Sequence, residues 1–444
     1  MTSLALSEKT AALKAEELAF LRAQKLALLK DANTLHDIAS LLNFKPHALS
    51  YLLYKKPEAA RYKKFTIPKR FGGTRQISAP LDDMKGLQRN LAVLLQDCVQ
   101  VSNEKNKFPN KIAHGFTRGH SITSNAKPHC NHRYVFNLDL NDFFGSIHYG
   151  RVYGFFRKDK NFLLNEKVAR IIANIACFEA KLPQGSPCSP VISNLIGHVL
   201  DVHMVRLASK NGCTYTRYAD DLTFSTNLAA FPVAIAKPTV DSDVWAVGDE
   251  LGQLIEKSGF SVNLKKTRMQ YCDSRQEVTG LVVNKKVNVR SEYRRTVRAM
   301  VDRLLTTGKF DFVRKVKDPS GVEIESVTPG RIDQLHGMLG FISGIDFYNQ
   351  QLIKNNAFNY PKRTIEKLST KETMYLRFLL FRLFFVAEKP VIICEGKTDN
   401  VYLTHAIRSL VNDFPQLAAK DAKGDIIFNV RIFKYTNTSR RASR

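Results

Sequence analysis

Two aspartates stand side by side in "TRYADDLTFS". They are Asp220 and Asp221, framed on both sides by residues that read as strand. Adjacent carboxylates repel each other, and burying them is costly without compensation. A third carboxylate, Asp139, lies in the apolar run "RYVFNLDL", where an unpaired charge would be expensive. Asp142 competes with it but falls where that strand should end. Hard divalent cations such as Mg²⁺ take oxygen ligands and are held by one or two carboxylates plus substrate phosphates. Two such ions about 4 Å apart stabilise both oxygens of an in-line phosphoryl displacement. Paired carboxylates at a tight turn, with a third from another strand, point to that chemistry. A lone Asp-Asp in a turn is more often merely solvated; the apolar frame and the second strand argue otherwise here.

The rest of the chain favours a phosphate-bearing partner. Its 444 residues carry 67 Lys or Arg against 41 Asp or Glu, a net charge of +26. That points to a polyanion, with nucleic acid foremost. A membrane surface is the rival. However, no unbroken run of 18 apolar residues occurs, and the N-terminus lacks the order of a signal peptide. A cytoplasmic protein with no membrane partner is expected. The seven cysteines are scattered, odd in number and without a CxxC pair, which suggests reduced thiols and no zinc site.

The elements that must position the carboxylates follow from periodicity. Residues 1–60 read as helical, with two short amphipathic segments split near Pro46; a small cap is favoured over a DNA-reading helix-turn-helix. "KKFTIPKRFGGTRQISAP" reads as a hairpin turning at Phe71–Thr74, because Gly-Gly supplies the positive φ of a tight turn. From 132 to 290 strands and helices alternate: strand "RYVFNLDL", helix "NEKVARIIANIACF", a long helix from "SPVISN" to a glycine cap, then strand, turn and strand at "YTRYADDLTFS". "DVWAVGDELGQLIEKSGFSVN" is expected as helix, Gly259, strand. The pattern is α+β, an antiparallel sheet backed by helices. Residues 285–317 hold eleven Lys or Arg against three acids, and Arg294, Arg295 and Arg298 flank an apolar stripe at helical spacing. A solvated face is the plain reading of such a run; its density favours nucleic-acid contact.

Several motifs in order then carry a resemblance. "YADD", preceded by "NLDLNDFF" and "LPQGSPCSP", resembles the palm of reverse transcriptases, "FTIPKRFGGTRQISAP" the fingers hairpin, and "GFSVNLKKTRM" the segment after the catalytic turn. "NAKPH" at 125–129 resembles the NAxxH motif and "VTG" at 278–280 the matching tripeptide of bacterial retron reverse transcriptases. The resemblance spans roughly residues 30–375. It implies an RNA-directed DNA polymerase of right-hand architecture, using dNTPs and two Mg²⁺ ions. Such an enzyme copies part of a cognate structured RNA and stays bound to the RNA–DNA product, in anti-phage defence. A maturase-like intron enzyme and a non-catalytic RNA scaffold are the alternatives, and homo-oligomerisation is left open. By resemblance, Asp139 and Asp220 bridge the metals and Asp221 supports them more weakly. Phe144 stands where the family places an aromatic gate against the ribose 2′-hydroxyl. Gln184 and Gly185 form the turn that approaches nucleotide and template. Lys69 and Arg75 match basic positions that neutralise the triphosphate. Asn125, His129 and Thr279 are markers read as helping to hold the RNA, and Arg294, Arg295 and Arg298 as tracking duplex phosphates.

The implied domains are a helical region at 1–60, fingers at 61–131, palm at 132–284, thumb at 285–375 and a last segment at 376–444. In that segment "PVIICEGKTDNVYLTHAI" resembles the opening of a Toprim domain, with Glu395 at the end of a buried strand and Asp399 near the next helix start. The Asp-x-Asp pair of that family does not follow; the only such pair is Asp241 and Asp243, upstream. A partial Toprim-like module, a remnant of a fused nuclease effector, is expected.

Overall fold

The computed structural model describes residues 2–68, 73–105, 112–239, 244–317, 323–356 and 368–433. The chain divides into two compact units, Met1–Val287 and Asn288–Arg444.

The first unit begins with helices α1 (Thr2–Asp31), α2 (Leu35–Leu41) and α3 (Pro46–Ser50). Thr34 caps α2 and Asp37 returns the bond, a reciprocal capping box that fixes where the helix starts. Strands β1 (Tyr62–Pro68) and β2 (Thr74–Pro80) form the expected antiparallel hairpin, closing at Pro68 opposite Thr74. The tip, with Lys69, lies outside the described residues, as do Asp241 and Asp243. Helix α4 (Asp82–Lys105) follows and packs on α1, where Asp97 accepts from Lys25 and Arg118. The short α5 (Ile122–Ala126) leads to β3 (Tyr134–Asp139), α6 (Tyr149–Lys158), α7 (Glu166–Ala176) and α8 (Ser189–Lys210). Gly212, just past α8, takes the left-handed conformation expected of a helix stop. Helix α8 is long and apolar enough to span a membrane, but more than half of its apolar stretch is buried in this unit.

Strands β4 (Thr214–Tyr218) and β5 (Asp221–Thr226) make the second hairpin. Short strands β6 (Ala236–Pro238) and β7 (Trp245–Val247) pair with each other before α9 (Asp249–Lys257). Then come β8 (Arg268–Tyr271) and the hairpin β9 (Glu277–Val278) and β10 (Leu281–Val282). The central sheet runs β4-β5-β3-β8, antiparallel throughout. Its side chains alternate between faces. Phe136, Leu138, Tyr215, Leu222 and Phe224 point into one core shared with α4, α6, α7 and α8.

Two expectations are corrected here. Residues 245–247 are strand rather than helix. Gly248 passes so close to the 233–234 backbone that a Cβ would lie 2.4 Å from the Val233 carbonyl, so the helix starts only after it. The stretch after Gly259 is not a full strand; it makes one bridge, Leu140 with Val262, then bends through a 3₁₀ turn at Leu264–Lys266.

The second unit holds α10 (Ser291–Thr307), hairpin β11 (Asp311–Lys317) and β12 (Glu323–Pro329), α11 (Ile332–Asn356) and α12 (Thr370–Leu380). The apolar stripe read from the sequence is the buried face of α10: Val297, Val301 and Leu304. The β11–β12 hairpin was not foreseen. Strand β13 (Val391–Ile392), helix α13 (Lys397–Ser409), hairpin β14 (Ala418–Lys420) and β15 (Ile426–Phe428), and β16 (Arg431–Ile432) complete it. β13 and β16 pair in parallel around a small core of Ile407, Val411, Ala418 and Val430.

Candidate active site

The three carboxylates meet at one end of the central sheet. Asp139 ends β3 and is the register partner of Asp221, the first residue of β5. Asp220 occupies the two-residue turn between β4 and β5, and its carbonyl accepts from Leu140 N at 3.0 Å. The other turn residue, Ala219, is left-handed at φ 57, a strained conformation for a residue with a side chain. Asp142 lies past the strand, exposed and left-handed at φ 41.

Electrostatics reflect the crowding. Burial, then the charges of Asp220 and Asp139, pushes the Asp221 carboxyl up to about 7. Burial and the Asp139 charge also raise Asp220, opposed by Lys266 and by Arg75 on β2. Lys266 donates to Asp139 Oδ1 at 2.9 Å and Asn263 to its Oδ2 at 3.2 Å. Although burial works against its charge, Lys266 is held above the ordinary lysine range by the three carboxylates. The chain brings these residues there by its bend after Gly259, where Asn263 N donates to the Asp139 carbonyl at 2.8 Å. Neither Asn263 nor Lys266 was singled out from the sequence. "NLKKTRM" offered two lysines with nothing to rank them; only the bend selects Lys266.

Among the described residues, no group of three or more His, Cys, Asp or Glu side chains is arranged so that it could hold a metal ion by itself. Three neighbouring carboxylates on an accessible strand end nonetheless suit a hard divalent cation. Mg²⁺ in particular keeps several waters and borrows substrate phosphates.

The pKa of Asp221 carries a consequence for stability. An acid whose folded pKa lies above its unfolded value binds a proton on folding. Its ionisation therefore erodes stability as pH rises from the ordinary carboxylate range to about 7. Asp221 is solvent-accessible, so screening reduces the effect and leaves its direction. In metal-free buffer with chelator, wild type is expected to lose more Tm than Asp221→Asn between about pH 5 and about pH 8. Equal losses would show that Asp221 ionises like an ordinary carboxylate.

A buried network supports the Ala219–Asp220 turn from behind. Arg217 is fully buried and clamps Asp201 of α8 with two bonds of 2.7 Å. Its Nη1 donates to the Ala219 carbonyl and to Asn194 Oδ1, both at 3.1 Å. Asn194 donates in turn to the Gly115 carbonyl at 2.6 Å. Gly115 packs so tightly on the turn that a Cβ there would sit 2.5 Å from Ala219 N. This network was missed. "TRYADD" shows an arginine, but its partner Asp201 reads as one more polar residue of an apolar helix.

The remaining sequence candidates are distributed as follows. Gly185 is left-handed at φ 116, and a Cβ would meet Ile77 at 2.9 Å. The Gln184 carbonyl accepts from Ser78 N at 2.9 Å, joining this turn to β2. Phe144 is half-buried and packs on Phe143 at 5.6 Å between ring centroids. Arg75 is exposed on β2. Arg294 is half-buried, and Arg295 and Arg298 are exposed on α10.

Two of the three markers are buried. His129 is fully buried, with its ring nitrogens 2.7 Å from Ser225 Oγ and Thr216 Oγ1. Burial, with His132 and His114 nearby, lowers its pKa to about 3, so it is neutral and bonded to the back of the β4–β5 hairpin. Asn125 is likewise buried. Thr279 is half-buried and left-handed at φ 48 in the β9–β10 turn, and its hydroxyl donates to the Ile122 carbonyl at 3.3 Å. The turn that carries Thr279 is thus bonded to the helix α5 that carries Asn125. The expected site of Glu395 is corrected. β13 is short and only half-buried, and Glu395 is exposed, three residues past its end. Asp399 is in the first turn of α13, accepting from Gly396 N at 2.9 Å.

An antiparallel sheet that gathers three carboxylates at one end, in a strongly basic chain, is the arrangement expected of a nucleotidyl-transfer protein. Residues 67–306 match the family described as reverse transcriptase (RNA-dependent DNA polymerase), and the chain belongs to it. Its curated relatives include the Retron Mx65 reverse transcriptase of Myxococcus xanthus, 34% identical over 60% of this chain and 62% of that one. The Retron Mx162 reverse transcriptase of the same organism is 33% identical over 72% and 65%. The Retron Ec86 reverse transcriptase of Escherichia coli is 31% identical over 64% and 82%. The chain thus spans just under two thirds of the length of the two Myxococcus relatives. Among solved structures, telomerase from Candida albicans in complex with the TWJ fragment of telomeric RNA is 10% identical over 80% of this chain and 64% of that one. Its TM-score is 0.36, a likeness too distant to define the fold further.

Proposed function

We propose that this chain is an RNA-directed DNA polymerase of the retron type, copying part of a cognate structured RNA into DNA and keeping the RNA–DNA product bound. The observation that carries the reading is the convergence of Asp139, Asp220 and Asp221 at one strand end, where burial and the charges of Asp220 and Asp139 push the Asp221 carboxyl up to about 7. The retron names of the relatives support it and favour it over a maturase-like or scaffold role. Asp139 and Asp220 would hold two Mg²⁺ ions, with Asp221 in support. Bound there, the ions would activate the primer hydroxyl and neutralise the leaving pyrophosphate.

The chain's own residues have the remaining tasks. Arg75 and Lys69 draw in the triphosphate, and Gln184 and Gly185, fastened to β2, approach the nucleotide and template. Phe144 excludes a ribose 2′-hydroxyl. Lys266 holds Asp139 as a cationic stand-in until substrate arrives. Residues 61–131, 132–284 and 285–375 act as fingers, palm and thumb behind the helical region at 1–60, with Arg294, Arg295 and Arg298 on phosphates. These markers serve the RNA indirectly: His129 stiffens the hairpin of Asp220 and Asp221, and Thr279 ties its turn to the chain before Asn125. Residues 376–444 are read as a partial Toprim-like module of a defence effector; the parallel β13–β16 pair joined through α13 supports this.

The test is to sequence the nucleic acid that copurifies with the chain from its host. One dominant species, an RNA joined to a DNA complementary to part of it, is expected. A random sample of cellular RNA with no attached DNA would overturn the retron reading.

A further inference from the structure

Phe116 combines two unfavourable features. Its backbone is left-handed at φ 60, strained for a bulky side chain. Its ring is 42% exposed, although apolar surface gains by burial. The loop that carries it is nonetheless firmly held. Arg217 and residues 112–114 exchange backbone bonds of 2.8 Å, from His114 N to the Arg217 carbonyl and from Arg217 N to the Ile112 carbonyl. Thr117 Oγ1 donates to the Ala113 carbonyl at 3.0 Å, and Asn194 holds the Gly115 carbonyl. Gly115 itself is pressed against Ala219 of the catalytic turn. The loop is thus fastened to the turn and holds out one strained aromatic side chain.

That ring lies 6.2 Å from the Phe144 ring, tilted by 52°. This is within the range at which aromatic pairs attract. Phe144 therefore has one buried aromatic neighbour, Phe143, and one exposed aromatic neighbour, Phe116. A second ring against Phe144 narrows the rotamers open to it, and the packing of the Phe116 loop on Ala219 sets its position relative to the carboxylates.

We propose that Phe116 is a second specificity-determining residue of the nucleotide site, bracing Phe144 and so setting how strictly ribonucleotides are refused. The inference rests on the reading of Phe144 as the gate. It is tested by the ratio of kcat/KM for a deoxynucleoside triphosphate to that for the matching ribonucleoside triphosphate. The wild type is compared with Phe116→Ala, Phe116→Tyr, Phe144→Ala and the double alanine variant. Phe116→Ala is expected to lower the ratio by about 2- to 12-fold, the span of an aromatic pair's coupling. Phe116→Tyr should keep the wild-type ratio, because the ring remains. The double variant should be no less selective than Phe144→Ala alone, because a brace without a gate does nothing. A wild-type ratio in Phe116→Ala alongside a lowered one in Phe144→Ala would overturn the brace and leave the gate standing, as would additive effects in the double variant. A wild-type ratio in Phe144→Ala would remove the gate and the brace together. Bound RNA and Tm, measured on each variant, separate these outcomes from misfolding, which an exposed ring should not provoke.

Discussion

Asp139→Asn and Asp220→Asn are each expected to reduce DNA synthesis by about 10³-fold or more, since losing even one preorganised electrostatic group typically costs about 10²–10³. Asn keeps the size and shape of Asp but cannot supply the negative charge that holds a divalent cation. The two losses should not add, because either one disables the same metal pair. Asp221→Asn should be milder, since its carboxyl already binds a proton up to about 7. None of the three should weaken the fold, because each removes repulsion among crowded charges. The Asp139 variant is the least innocent of these, because it also loses the charge partner of Lys266. Primer extension on an RNA template in Mg²⁺, beside a melting curve in chelator, measures both effects. Wild-type synthesis by Asp220→Asn would remove the catalytic assignment.

What the sequence made legible was local. The β1–β2 hairpin, the hairpin carrying Asp220 and Asp221, and the helices α7 and α8 each declare themselves within a dozen or two residues by periodicity and turn chemistry. Asp139 could be found because a carboxylate inside an apolar run is conspicuous. What stayed hidden depends on distant partners. His129 looks like a loop histidine until Thr216 and Ser225 close around it from two strands. Lys266 reaches Asp139 only because the chain makes a single bridge after Gly259 and then turns. Trp245 to Val247 satisfy a helical pattern, yet the squeeze at Gly248 and pairing with β6 make them strand. Motif resemblance singled out Asn125 and His129 by their place in a pattern, but a pattern does not show that both are buried.

The second large effect is expected at a residue no motif singles out. Arg217→Ala should destabilise the fold by about 3–5 kcal/mol, the usual cost of leaving half of a buried ion pair. Asp201→Ala should do the same, since Arg217 is fully buried and would keep its charge. Those losses alone would say nothing about catalysis. Replacing the whole group by apolar residues of similar volume, Arg217→Met with Asp201→Leu and Tyr215→Phe, leaves no orphaned charge and no orphaned hydroxyl. Such exchanges are commonly neutral for stability. The triple variant should therefore melt well above either single alanine variant, falling short of wild type only by the cost of the unpaired Ala219 carbonyl and Asn194 Oδ1. It should still polymerise poorly, because the Ala219 carbonyl and Asn194 lose the donor that holds the strained turn in place. A turn free to relax no longer holds Asp220 against Asp139, so the deficit should appear in kcat and in the Mg²⁺ concentration needed for half-maximal rate, rather than in RNA affinity. Denaturant unfolding and a Mg²⁺ titration of primer extension separate the two contributions. A triple variant as stable and as active as wild type would reduce Arg217 to packing.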